Sequence, residues 1–286
     1  MSLPMQKKVV GRLLRSFSVT ARLLTEYRVA TMLRQGEYAD LAHCVRLAQS
    51  GTTAVDGGAS VGNYALALRK AVGPDGRVLA LEANPEVFRE LVRSTWLAGV
   101  DARNVAASSQ EGTGELRIPV DRLGRVQEPV ATLEDRGQEC VRVRVPRATL
   151  DHLLADAQRV SLIKIDVEGH EGEVIRGARQ VLDKHRPALV VEIEAQHVGG
   201  PGAMEGVVSL LTNRGYTCNA IHGGTLIPWR EFDVERWQSS YLARDKEHRS
   251  KHRMDYVNNF LFVHTAQAYP AVDSFRTPAG AGAPMP

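Results

Sequence analysis

Cysteine is scarce in this chain. It occurs three times, at Cys44, Cys140 and Cys218, far apart and with no C-x-x-C pair. An odd, scattered set argues against a disulfide framework and for a reducing compartment, the cytoplasm. Long apolar runs are missing: none reaches the length a bilayer span needs. An excess of one charge is missing too. The net charge is only +3, too slight for the electrostatic footprint of a nucleic-acid or membrane binder. What remains is an ordinary globular composition, 43% hydrophobic over 286 residues, enough for one large or two small domains.

The organising stretch is Val55-Asp56-Gly57-Gly58-Ala59-Ser60-Val61-Gly62. Thr52 to Val55 is rich in β-branched residues and reads as a buried strand closed by Asp56. Gly57 and Gly58 allow a sharp turn and close approach to a ligand, and Ser60 is placed to cap the next helix. Val61, Ala65, Leu68 and Val72 then fall on one helical face. Strand, glycine turn and amphipathic helix open a βαβ unit. The spacing of Gly57, Gly58 and Gly62 is not G-x-G-x-x-G, and no phosphate-loop lysine follows. Asp56 repels phosphates but suits the ammonium of an amino-acid-like cofactor.

A second strand, Arg77 to Glu82, ends in an acid where a carboxylate accepts both ribose hydroxyls. Asn84 and Pro85 then start a helix as N-cap and first helical residue. Two acids flanking a glycine turn fit S-adenosylmethionine better than a nicotinamide dinucleotide.

Along the rest of the chain, residues 1–36 carry Lys7, Lys8, Arg12, Arg15, Arg22, Arg28 and Arg34 against one acid, Glu26. Such a stretch suits an organelle presequence, a membrane-surface helix or a helical cap; the cap, packed on the main domain or across a homodimer, is favoured. Glu37 to Gln49 reads as a further helix. After helix Glu86 to Leu97, Ala102 to Ala107 reads as a third strand, and Glu115 to Val120 with Cys140 to Val145 as a hairpin. The charged linker Asp121 to Gly137 reads as a loop. Thr149 caps a short helix, Val160 to Val167 is a buried strand, and Glu171 to Asp183 is its following helix. Strand Ala188 to Ile193, helix Met204 to Asn213, strand Tyr216 to Ile221, turn His222-Gly223-Gly224 and strand Asn258 to Val263 complete the pattern. The fold expected is α/β, a seven-stranded doubly wound sheet closed by an antiparallel hairpin. The domains are 1–49 as an N-terminal helical cap, 50–265 as the main domain and 266–286 as a disordered tail rich in Pro, Ala and Gly.

The run Lys164-Ile165-Asp166-Val167-Glu168-Gly169-His170-Glu171 packs ionisable groups at a strand's carboxyl end, where open α/β sheets bind ligands. With the glycine turn, Glu82-Ala83-Asn84-Pro85, Thr149-Leu150-Asp151, Arg186-Pro187 and Glu192, it resembles the FkbM-type S-adenosylmethionine-dependent methyltransferases over about residues 50–265. The resemblance implies a class I methyltransferase (Rossmann-like) fold and O-methylation of a hydroxyl on a polyketide, sugar or related metabolite. Ser60 stands where the family often has Asn and Ala83 where it often has Pro; neither change removes a charge. Carried over, Asp56, Gly57, Gly58, Ser60, Gly62 and Asn63 line the methionine and ribose region, and Glu82 with Ala83 holds the ribose. Ala107 and Ser108 lie near adenine, and Asp166 faces the sulfonium side.

Methyl transfer at a sulfonium is chiefly proximity and alignment. A base is needed only for an un-ionised hydroxyl. His170 is the natural candidate, with Asp166 and Glu168 close enough to orient it or hold its charge, against the plainer reading that it caps the next helix; Glu168 and Glu192 are rivals whose pKa burial can raise. Asp166, Glu168 and Glu192 could together take Mg²⁺, but carboxylates serving as hydrogen-bond acceptors are favoured and no metal is assigned. Lys164 is read as structural, pointing away from the turn toward an acid; His197, His222 and Trp229 lie in loops that could border the acceptor, with ordinary loop packing favoured for each. The cluster Arg244, Lys246, Arg249, Lys251 and Arg253 could contact an anionic acceptor, but a solvated helix face is favoured. The partner expected is a small-molecule acceptor. Carboxyl methylation, which needs no base, is the main alternative. Nucleic-acid modification is disfavoured by Asp166-Val167-Glu168-Gly169 standing where an N-P-P-Y-like run belongs. A non-catalytic cofactor-binding partner is the third reading.

Overall fold

The computed structural model describes residues 27, 29–31, 39–120, 131–223, 225–243 and 255–267. Most of the basic N-terminal stretch, part of the charged linker, the Arg244–Arg253 cluster and nearly all of the C-terminal tail lie outside the described residues.

In chain order the elements are α1 (Ala39–Leu47), β1 (Thr53–Gly57), α2 (Asn63–Val72), β2 (Arg77–Leu81), α3 (Pro85–Thr95), β3 (Asp101–Arg103), β4 (Ala106–Ala107), β5 (Gly112–Pro119) and β6 (Cys140–Ala148). Then come α4 (Leu150–Leu153), β7 (Val160–Ile165), α5 (Glu171–Arg176), α6 (Arg179–His185), β8 (Ala188–Glu192), α7 (Ala195–Val198), α8 (Pro201–Thr212), β9 (Tyr216–His222), β10 (Thr225–Pro228) and β11 (Asn259–His264).

The main sheet has the order β10-β9-β11-β8-β7-β1-β2-β3. From β3 to β8 the pairings are parallel, and β11 lies antiparallel between β8 and β9. The central strands β1 and β7 are buried throughout, as parallel strands covered on both faces must be. Their residues alternate between two cores. Val55, Leu79, Ile163, Leu189 and Val191 face one layer of helices, including α5, α6 and α8. Ala54, Val78, Ala80, Leu162 and Val190 face the other, with Cys44 and Leu47 of α1 and Leu68 of α2. Helix α1 is therefore sewn into the sheet's core rather than resting on its surface.

The sheet has eight strands, not the expected seven, because Thr225–Pro228 folds back on β9 through the His222-Gly223 turn. The closing pair is β9 with β10; β11 returns over a long connection and inserts beside β8. The expected third strand is broken. Asp101–Arg103 edges the main sheet, and Ala106–Ala107 joins β5 and β6 in a three-stranded side sheet. Between them the Asn104 amide donates to the carbonyls of Glu82 and Ala83, diverting the backbone. The helix expected over Glu171 to Asp183 is two helices. They part at Gly177, where a Cβ would lie 2.0 Å from the Ser108 carbonyl oxygen.

Candidate functional site

At the carboxyl ends of β1, β2, β7 and β8 lies a cavity of about 270 Å³. Its floor is the glycine turn. Gly58 has φ +78°, and a Cβ there would sit 1.7 Å from the Asp166 carbonyl oxygen. Glycine is required because the turn after β1 and the turn after β7 lie on one another; the close approach is to protein backbone, not to ligand. The Asp166 N–H donates to the Gly57 carbonyl at 2.9 Å, which joins the two turns again. Ser60 does not cap α2 as expected. It takes a left-handed φ of 48°, and the cap is Gly62, which is also left-handed. The Ser60 N–H instead donates to Glu82 Oε2 at 2.9 Å.

Glu82 ends β2 with both carboxylate oxygens engaged, the other accepting from the Asn84 N–H at 2.8 Å. Asn84 is the N-cap of α3 and Pro85 its first residue, as the sequence implies. The Glu82 pKa is raised by burial, an effect the two backbone N–H groups oppose. Each oxygen keeps a lone pair for a second donor, so a vicinal pair of ribose hydroxyls has acceptors fixed in advance.

Beneath the turn lies a buried charge cluster. Lys164 stands 3.0 Å from Asp166 and 3.7 Å from Asp56. The expectation that Lys164 pairs with an acid holds, but it points toward the turn rather than away from it. Its ammonium also lies 4.4 Å from the Tyr64 ring centre, and the Tyr64 hydroxyl donates to Asp40 of α1. Burial alone would lower the Lys164 pKa; Asp166 and Asp56 more than reverse this, so the lysine stays charged. Burial pushes Asp56 up to about 6, with Lys164 opposing.

Around the cavity's far side, Glu192 receives the Asn258 amide at 2.7 Å. Its pKa is raised well above the usual range by burial, then by Asp166 and Glu194. Glu168 stands 3.0 Å from His197 Nδ1. The Glu171 carboxylate folds back onto the N–H groups of Val167 and Gly169, holding the turn, and burial raises its pKa to about 7.

His170 is not oriented by Asp166 and Glu168. Its Nδ1 lies 2.5 Å from Glu134 Oε1, and its Nε2 lies 3.0 Å from Ser108 Oγ. A carboxylate only accepts, so Nδ1 carries the proton and, in the neutral ring, Nε2 accepts from the serine hydroxyl. Both nitrogens are occupied by side chains of the protein.

Of the residues expected to form the site, Gly58, Ser60, Glu82, Ala83, Ala107, Asp166, Glu168, His170 and Glu192 line the cavity. Asp56 and Ser108 are buried behind it, and Gly57, Gly62 and Asn63 support the turn from outside the lining. Sequence reading missed the apolar half: Leu81, Val87, Val105, Ala106, Leu116, Ala131 and Leu133, with Thr132 and Val167. Leu116 shows a signal in the alternating hairpin. Leu133, inside a charged linker, shows none. His197 borders the site through Glu168, whereas His222 packs at a tilt against Trp237 and Trp229 stacks on Phe232. Among the described residues no group of three or more His, Cys, Asp or Glu side chains is arranged to share a metal ion. Lys164, His197 and Asn258 instead engage the three carboxylates considered for Mg²⁺. Among the described residues no helix is long and apolar enough to cross a membrane.

The lining contains groups that could hold S-adenosylmethionine. A slot with apolar walls suits adenine, the fixed Glu82 suits the ribose, and the acids at the ends of β7 and β8 suit the cationic end. Residues 56–218 match the family described as methyltransferase FkbM domain. The chain is 25% identical over 232 residues to methyltransferase sdnD of Sordaria araneosa, covering 69% of this chain and 88% of that one. It is similar to the crystal structure of methyltransferase FkbM from Methylobacillus flagellatus KT, at 16% identity and a TM-score of 0.44, over 74% of this chain. The match spans less than half of that structure's length, 43%. An O-methyltransferase from Bacillus cereus in complex with SAH is similar at 11% identity and a TM-score of 0.42, over 85% of this chain and 89% of that one. With a family match over more than half of its 286 residues, this chain belongs to the methyltransferase FkbM domain family and carries an S-adenosylmethionine-dependent methyltransferase domain.

Proposed function

We propose that the chain methylates an un-ionised hydroxyl of a small metabolite, such as a polyketide or sugar, in a reducing compartment such as the cytoplasm. The cofactor supplies a methyl group on a positively charged sulfonium, poised for in-line displacement. The chain's own residues bind, align and take the acceptor's proton. Glu82 and the apolar slot hold the nucleoside, and Asp166, held by Lys164, faces the cationic end.

The observation that carries the hydroxyl reading is Glu192. It lines the cavity beside Asp166, and its pKa is raised well above the ordinary carboxylate range by burial and by neighbouring acids. In its ionised form a carboxylate so placed holds a proton more strongly than one in water. His170, the natural base by residue type, has both ring nitrogens bound to Glu134 and Ser108, so the proton falls to Glu192. The charge of the lining also bears on the alternative. Besides His170, its ionisable groups are Glu82, Asp166, Glu168 and Glu192, all carboxyls. A carboxylate acceptor would lose its hydration among like charges, which favours a hydroxyl over carboxyl methylation.

The test is incubation with methyl-labelled cofactor and metabolite pools, followed by mass spectrometry of the labelled product. An ether product is expected. Glu192→Gln should lower the rate at saturating cofactor about 100-fold, the scale of a general base. A methyl ester product, or an undiminished rate in Glu192→Gln, overturns the reading.

A further inference from the structure

The segment 131–137 crosses the cavity as a strap. On one side it pairs with β5: Thr132 and Arg117 exchange backbone hydrogen bonds of 2.7 and 2.9 Å, and the Arg117 guanidinium donates to the Leu133 carbonyl at 3.1 Å. On the other side it reaches the turn after β7. Glu134 meets His170, and the Arg136 guanidinium donates to the Glu168 carbonyl. Between the two anchorages Ala131, Thr132 and Leu133 face the cavity. The strap is thus a wall of the nucleoside slot, fastened at both ends.

The fastening at the β7 side is a chain of three side chains from three elements. Ser108 follows β4 and is buried, His170 precedes α5 and is buried, and Glu134 belongs to the strap and is half-exposed. Ser108 meets Nε2 and Glu134 meets Nδ1, so the ring can neither turn nor shift without losing a partner. The hydrogen bond from His170 also holds the Glu134 carboxyl below its usual pKa, so the pair is charge-assisted on the acceptor side.

We propose that Glu134 and Ser108 are positioning residues for the cofactor, acting through His170: the three side chains fasten the strap over the nucleoside slot and set how long the cofactor stays. This assigns His170 to retention of the nucleoside rather than to proton transfer. It rests on the cavity being the cofactor's.

The test uses the full chain with S-adenosylhomocysteine as the probe, reading association and dissociation rates by stopped flow together with the thermal midpoint. Glu134→Gln and His170→Gln should each raise the dissociation rate about tenfold, the scale of one charge-assisted hydrogen bond. Association should change by less than about threefold and the midpoint by only about 2–4 °C. Ser108→Ala should act in the same direction, more weakly. The double variant Glu134→Gln/His170→Gln should release the probe no faster than His170→Gln alone, because the contact to Glu134 is already lost in that single variant. Should His170→Gln fail to fold, Glu134→Gln, at a half-exposed residue, carries the test with Ser108→Ala. A dissociation rate unchanged in Glu134→Gln, or effects that multiply in the double variant, overturns the proposal. Glu82→Ala separates the two premises. If it leaves affinity unchanged, the cavity assignment itself fails; if it weakens binding while Glu134→Gln does not, only the strap reading fails.

Discussion

Glu82 receives two backbone N–H groups before any ligand arrives, one from the turn after β1 and one from the start of α3. Its geometry is therefore set by the fold, and in the proposed site its loss would remove the acceptors for the ribose together with a tie between two loops. Glu82→Ala should weaken S-adenosylhomocysteine binding by about 1.5–3 kcal/mol, read by calorimetry. Glu171 makes a different point. It is buried, its Oε1 holds the turn, and its pKa is raised to about 7 from an ordinary 4.5 by burial. A carboxyl raised in the folded state binds its proton more tightly there than in the unfolded chain. Stability therefore falls as pH rises from about 4.5 to about 7. Glu171→Gln keeps the accepting oxygen and removes the charge. It should flatten that slope and stabilise the protein at pH 8 by about 1–3 kcal/mol, measured by urea denaturation across pH. Stability unchanged at pH 8 would mean that the folded chain does not discriminate against the ionised carboxyl. The place of Glu82 at a strand end and the capping role of Asn84 were legible in sequence because both are local patterns. That His170 is tied to Glu134 was not legible, since they stand 36 positions apart with β6, α4 and β7 between them.

Turns and strands carried the next level of information. The glycine turn was recognised from its residues, but its reason was not. Gly58 is needed because Asp166 lies against it, and that contact joins β1 to a strand more than a hundred positions later. Gly58→Ala should cost about 3 kcal/mol or more in denaturant unfolding, combining a left-handed φ with displacement of the Asp166 backbone. Gly51→Ala is the control. Its φ is +74° with nothing within 4 Å of the added Cβ, so it should cost only about 1 kcal/mol. Equal costs would mean that the two turns are not packed as described. The broken third strand escaped sequence reading for a related reason. Ala102 to Ala107 reads as one strand in sequence, and the Asn104 side chain, bonded to the backbone after β2, divides it between two sheets. The split helix after β7 follows from Gly177 packing on Ser108, again a contact distant in sequence.

Across the whole molecule, alternating strand and helix patterns identified the doubly wound sheet, because buried parallel strands are continuous apolar runs. The order of strands at the antiparallel end was not readable: β11 enters between β8 and β9 over a long connection whose length fixes no position. Nor was the side sheet, although its hairpin was, because pairing with β4 is what turns a wet hairpin into a cavity wall. Helix α1 binds into the same architecture. Asp40 reaches Tyr64, Tyr64 covers Lys164, and Lys164 holds Asp56 and Asp166 under the glycine turn. The molecule is thus organised from one charged cluster outward to a cavity with an acidic end and an apolar end. The most direct measurement is a crystal structure of the chain grown with S-adenosylhomocysteine. The account predicts the ribose hydroxyls on Glu82, adenine between Leu116 and Leu133, and the sulfur turned toward Asp166 and Glu192. A nucleoside bound elsewhere, or one in this cavity with its ribose away from Glu82, would contradict it.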